Sequence, residues 1–235
     1  MILVGVHPGG RNKFAVTTLF YNGRLPAAIV SSRAHSGVDD VLADIVGLVG
    51  EWGELNGAAI DAPLTWAGLP SGWRDCDLKA QRLLPAWAPK AWWRPPNVLP
   101  GAVAVQGPAL AWALAREIKS GILPHHRLFE THPRTSLALC ASDLKPNILG
   151  YRSVGVALSE RRRHVGRLLG HFGDAGVVKS EVEPPTSPDE LDSLVCAITA
   201  LGAVAQDCGL VVHELQGGEI RPVGHRTLAV LKALP

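Results

Sequence analysis

The sequence predicts an α/β fold on a mixed sheet, in which three antiparallel strands are continued by parallel ones and flanked by helices. Two observations carry this. Three apolar runs near the N-terminus are separated only by tight-turn residues, so they must form an antiparallel meander. A fourth short run follows an amphipathic helix, and a strand that returns after a helical crossover pairs parallel to the strand it rejoins. Residues 2–7 are the first run and end in Pro8-Gly9-Gly10-Arg11-Asn12, strong turn chemistry. Residues 14–20 are the second strand, Tyr21-Asn22-Gly23 is a hairpin signal, and residues 25–32 are the third. Val38, Val41, Leu42, Ile45, Leu48 and Val49 recur at helical spacing over residues 38–52. Residues 58–62, Ala-Ala-Ile-Asp-Ala, are the strand that closes the unit.

The stretch from about 63 to 124 changes composition. It holds five of the seven tryptophans, six with Trp112 on its last helix, and many prolines. It reads as a Trp/Pro-rich helical insertion with one helix near residues 77–84, a long loop, and a second helix over about 108–119. A loop of that length is unusual unless it serves a function. Residues 127–131 form another strand, and His132-Pro133 opens a helix with proline in its first turn. Residues 158–172 are a basic amphipathic helix. Ser187-Pro188-Asp189-Glu190 starts the last helix, to about residue 206, with Ser187 as N-cap. Strand-like pieces at 210–214 and 219–222 follow.

Bulk properties bound the function. A chain of 235 residues, 47% hydrophobic, suits one domain with an elaboration. A net charge of +2 does not by itself point to nucleic acid, so such a partner has to be argued from local features. Cys76, Cys140, Cys196 and Cys208 form no CxxC pair, which argues against a zinc site or a disulfide framework. The first residues lack the pattern of a secretory signal, and no apolar run is long enough to span a bilayer. A soluble, cytoplasmic protein is expected.

Four acids stand where acids are rare. Asp61 follows Ala-Ala-Ile at the end of a buried strand, and Glu130 sits inside Leu-Phe-Glu-Thr. Asp189 and Asp192, three apart at a helix start, share one side. Each has a plainer explanation. Asp189 can answer the helix dipole, Asp192 can pair with an arginine, and Glu130 with Arg134 or Arg74. As a set on two strand ends and one helix, they fit a shared site better, because buried charge is costly unless paired or bound to metal.

Five stretches occur in order: Val4-Gly5-Val6-His7-Pro8-Gly9-Gly10, Ile60-Asp61-Ala62-Pro63-Leu64, Arg74-Asp75-Cys76-Asp77, Phe129-Glu130-Thr131-His132-Pro133 and Asp189-Glu190-Leu191-Asp192-Ser193-Leu194. Together they resemble domain-of-unknown-function family 429, a group regarded as predicted nucleases with a ribonuclease-H-like fold. The resemblance runs over nearly the whole chain, and the strand order read above fits that fold. What it implies is phosphodiester hydrolysis with Mg²⁺ or Mn²⁺ ions about 3.5–4 Å apart, held by carboxylates. It makes Asp61, Asp189 and Asp192 the ion ligands and places Glu130 and His132 in the same cleft as ligand, proton carrier or substrate contact.

The departure is His7, where the resemblance implies an aspartate between the ions. Imidazole binds transition ions, binds Mg²⁺ poorly and cannot bridge two ions. Three outcomes follow: a Mn²⁺ or Zn²⁺ preference with His7 as ligand, a one-ion site, or loss of nuclease activity; the plain alternative is a hydrogen-bonded core histidine. Arg11, Lys13, Arg74, Lys79, Arg82, Lys145 and Arg152 are candidate phosphate contacts, whereas Arg161 to Arg163 read as a solvated helix face. The tryptophans can stack on unpaired bases, pack the insertion or form a homodimer contact, and Trp66 and Trp73 stand closest to Asp61 in sequence. The leading expectation is a metal-dependent nuclease or phosphodiesterase acting on nucleic acid or a nucleotide. The alternatives are a non-catalytic protein binding a ligand or partner in the same cleft, and a nucleotide-binding phosphotransferase. For the last, Pro8-Gly9-Gly10 is a weak phosphate loop.

Overall fold

The computed structural model describes residues 1–9, 13–68, 70–99, 101–122, 127–216 and 227–234. The meander forms as the turn chemistry requires: β1 (Ile2–Gly9), β2 (Lys13–Phe20) and β3 (Ala27–His35) pair antiparallel in sequence order. Helix α1 (Val38–Trp52) then crosses over, and β4 (Leu55–Ile60) joins β1 in parallel. The strand β5 (Arg127–Thr131) adds parallel to β4. The resulting β3-β2-β1-β4-β5 order is the ribonuclease-H-like arrangement.

Three further strands extend this sheet at both edges. β6 (Val178–Ser180) pairs parallel to β3, and β8 (Thr227–Ala233) inserts between β5 and β7 (Val211–Gln216). β7 corresponds to the expected strand at 210–214. The expected piece at 219–222 lies outside the described residues, and β8 and β6 were not foreseen. Their register comes from neighbouring strands, a non-local preference that a short run cannot display.

Helices cover both faces. The insertion supplies α2 (Asp75–Leu83) and α3 (Ala102–Lys119), with short 3-10 turns between. α3 starts two turns before the expected 108: Pro108 is inside the helix, and Gly101 is its N-cap. Proline is tolerated in the first turn most easily, which made it a false start signal. After β5 come α4 (Pro133–Cys140), α5 (Lys145–Gly150), α6 (Leu158–Asp174) and α7 (Pro188–Val204). Among the described residues no helix is long and apolar enough to cross a membrane.

Strand β1 is buried on both faces, as a strand between two helical layers must be. Its side chains alternate. Ile2, Val4 and Val6 pack with Val41 and Ile45 of α1 and Leu110 of α3, while Leu3 packs with Leu194 and Ile198 of α7. His7 falls by the same period on the α7 side. The α7 layer comes very close, because Gly5 has no side chain to hold it off: a Cβ there would lie 2.0 Å from the Ser193 carbonyl oxygen. Thr17 and Ser193 hydroxyls, 2.7 Å apart, tie β2 to the same turn of α7.

Candidate functional site

The site forms where β1 and β4 end side by side. The Asp61 amide donates to the Val6 carbonyl at 2.9 Å, which continues the parallel ladder one residue past β4. That places Asp61 beside His7, and the His7 Nδ1 to Asp61 Oδ2 distance is 2.7 Å. Crevices at the C-terminal ends of such strands are where open α/β sheets collect ligands.

Helix α7 brings the other two carboxylates. Ser187 caps it: its Oγ accepts the Glu190 amide at 3.2 Å, and the Glu190 carboxylate accepts the Ser187 amide at 2.9 Å. This capping box fixes the helix start, so Asp189 lies in the first turn and Asp192 one turn on. Asp189 Oδ1 is 3.4 Å from His7 Nε2, and Asp192 Oδ2 is 4.0 Å from His7 Nδ1. Asp192 is buried and also accepts the Tyr151 hydroxyl at 2.8 Å on Oδ1.

A cation completes the cluster. Arg152, in the turn after α5, puts Nε and Nη2 each 2.5 Å from Asp192 Oδ2. Nη2 also lies 2.8 Å from Asp189 Oδ1 and 2.9 Å from His7 Nε2. Burial opposes charge on His7, but its hydrogen bonds to Asp189 and Asp61 outweigh both burial and the Arg152 charge, pushing the imidazole up to about 9. The reverse holds at its partners. The hydrogen bond from His7, helped by Arg152, holds Asp189 well below the usual carboxylate range. Burial works against the Asp61 charge, and the imidazole overcomes it.

His7, Asp61 and Asp192 offer one nitrogen and two oxygens within 4.8 Å of one another. This donor set fits one ion of the transition series rather than a carboxylate-bridged Mg²⁺ pair. Asp189 is outside that trio, joined to it through His7 and Arg152.

Glu130 has a different setting. Arg74, buried, holds it through both Nη atoms, with Nη1 at 2.7 Å from Oε2, and holds Asp77 through Nε at 2.9 Å. The Leu64 amide adds a bond to Glu130 at 2.8 Å. Burial raises the Glu130 carboxyl while the Arg74 charge pulls it down. Burial likewise opposes the Arg74 charge, and Glu130 overcomes it. Because a guanidinium does not deprotonate, we take the pair as ionised. Its oxygens are thus occupied by Arg74 and Leu64.

His132 is the N-cap of α4. Nδ1 accepts the Thr135 amide at 3.2 Å, and Nε2 faces the Trp92 carbonyl at 3.2 Å, which fits a neutral ring donating from Nε2. Burial lowers its basicity, in keeping with that state. Trp93 stacks on it with centroids 4.4 Å apart.

A cavity of about 250 Å³ opens against this cluster. His7, Asp61 and Asp192 form one end, and the insertion supplies an apolar wall that includes Trp92, Trp93 and Leu99. Arg94, Arg134 and Arg152 also line it. Arg74, Glu130 and His132 line the cavity as well. Lys145 does not line it: it is exposed, with Nζ 5.8 Å from the Trp87 ring. Arg11 lies outside the described residues. Trp66 and Trp73 do not line the cavity; Trp92 and Trp93, further along the insertion, do. Arg152 was one of seven candidate phosphate contacts in the sequence, with no local pattern to single it out.

The sheet order is that of a ribonuclease-H-like α/β fold, with a His-and-carboxylate cluster at its strand ends. The family described as "Protein of unknown function (DUF429)" matches residues 21–216, and the chain belongs to that family. The matched span starts after β1, so His7 lies outside it. Among solved structures, the chain is similar to T. thermophilus RuvC in complex with Holliday junction substrate. Identity is 13%, coverage is 86% of this chain and 95% of that one, and the TM-score is 0.40. No curated protein matches.

Proposed function

We propose that the chain is a metal-dependent phosphodiesterase of the nuclease kind that uses a single divalent ion held by His7, Asp61 and Asp192. The observation that carries this is the convergence of their donor atoms within 4.8 Å. Such an ion, once bound, supplies an activated water and stabilises charge on the leaving oxygen. The chain's own residues do the rest. The 2.7 Å contact between His7 Nδ1 and Asp61 Oδ2 holds two of the three ligands side by side before an ion enters. Arg94, Arg134 and Arg152 line the cavity where an anionic phosphate would sit, and guanidinium geometry suits its oxygens. Trp92 and Leu99 provide apolar surface for a base or sugar.

The test is cleavage of single-stranded and structured nucleic acid with Mn²⁺, and its loss in Asp61→Asn and Asp192→Asn. No Mn²⁺ binding by calorimetry, together with no cleavage, overturns the proposal. A second reading is a non-catalytic protein that binds an anionic ligand in this cavity. Arg152 favours it, because a cation already neutralises Asp189 and Asp192. Tight binding of nucleotides without turnover under any divalent ion would select it.

A further inference from the structure

We infer that Arg152 couples anion binding in the cavity to cation binding at the cluster, so that a phosphate-bearing ligand and a divalent ion load together. The inference rests on the single-ion reading above. The guanidinium occupies an atom the ion needs, Asp192 Oδ2 at 2.5 Å, and sits against the ring of a second ligand, 2.9 Å from His7 Nε2. It cannot make room by losing a proton, because arginine stays charged at any working pH. It therefore has to move when the ion enters.

The same side chain has somewhere to go. Arg152 sits in a turn between α5 and α6, its side chain is 22% exposed, and it lines the cavity with Arg94 and Arg134. A phosphate there presents the paired oxygens that a guanidinium fork prefers. An anion that draws Arg152 off Asp192 and Asp189 leaves those carboxylates short of a counter-cation, which the ion then supplies. By linkage, an ion that displaces Arg152 raises anion affinity by the same factor. With neither ligand present, Arg152 keeps the buried Asp192 paired, which a bare carboxylate there could not tolerate cheaply.

The experiment is calorimetric titration of Mn²⁺ into wild-type protein with and without saturating thymidine 5′-monophosphate. Complexation of Mn²⁺ by the nucleotide is measured separately without protein. Wild type should bind Mn²⁺ at least about fivefold more tightly with the nucleotide, the low end of usual coupling. Arg152→Gln should bind Mn²⁺ more tightly than wild type alone and show no such gain. Thermal melting checks that the variant folds, and the wild-type comparison stands without it. Mn²⁺ binding unaffected by the nucleotide in wild type overturns the coupling but leaves the single-ion reading standing. No Mn²⁺ binding to either protein overturns both.

Discussion

Nη2 of Arg152 lies 2.9 Å from Nε2 of His7, placing a guanidinium against an imidazole at the centre of the site. Asp61, Asp189 and Asp192 surround the pair and make the contact tolerable. At Nε2 a neutral ring accepts from Arg152, whereas a protonated ring turns its hydrogen toward Asp189. The carboxylates favour the second state up to a pH of about 9.

The first prediction concerns that proton. His7 is raised above its usual value, so its contribution to stability is fully present below the unfolded-state pKa of about 6.5. It declines as pH rises and is gone above about 9. The size is about 3 kcal/mol for a shift of this kind. Urea unfolding at pH 6 and pH 9.5 should show the loss in wild type and not in His7→Gln. An imidazole NMR titration centred near 6.5 in the folded protein would refute it.

Divalent-ion affinity should depend on the same group. An ion that takes His7 as ligand must displace its proton, so Mn²⁺ affinity should rise about tenfold per pH unit until pH 9. His7→Asp removes this competition and supplies a carboxylate, so binding should flatten with pH and extend to Mg²⁺. Cleavage gained by His7→Asp would mark a site whose chemistry this histidine limits. A pH-independent Mn²⁺ affinity in wild type would argue that His7 is not a ligand.

Glu130 can be separated from the cluster by stability. Removing its charge leaves buried Arg74 with Asp77 alone, and breaking a buried pair of this kind costs on the order of 3–5 kcal/mol. Glu130→Gln should therefore lower the urea midpoint markedly while Mn²⁺ affinity changes little. Unchanged stability with lost cleavage would instead assign Glu130 a chemical role.

Gly5 offers a test at a distance. Gly5→Ala places a methyl 2.0 Å from the Ser193 oxygen and 2.2 Å from the Ala197 nitrogen, both backbone atoms, so α7 must retreat from β1. Overpacking of this kind costs about 1–3 kcal/mol or more. Asp189 and Asp192 ride on α7, so Mn²⁺ affinity should fall with stability. A variant as stable and as tightly binding as wild type would show that α7 position does not set the site.

What was legible in the sequence was what short-range chemistry controls. Turn residues after apolar runs set the β1–β2–β3 meander, 3.6-residue spacing set α1, and Ser187 with Glu190 set the start of α7. From these, Asp61 could be placed at a strand end and Asp189 with Asp192 on one side of a helix start, whereas His7 stood out only through the resemblance to family 429. Tertiary structure alone decided the rest. Arg152 meets His7 across 145 residues, and Trp92 reaches the cavity from an aperiodic loop. β8 takes its place between β5 and β7 through pairing with each. Periodicity and capping are properties of adjacent residues, whereas the partner of a buried charge depends on which distant turn the packed core brings within reach.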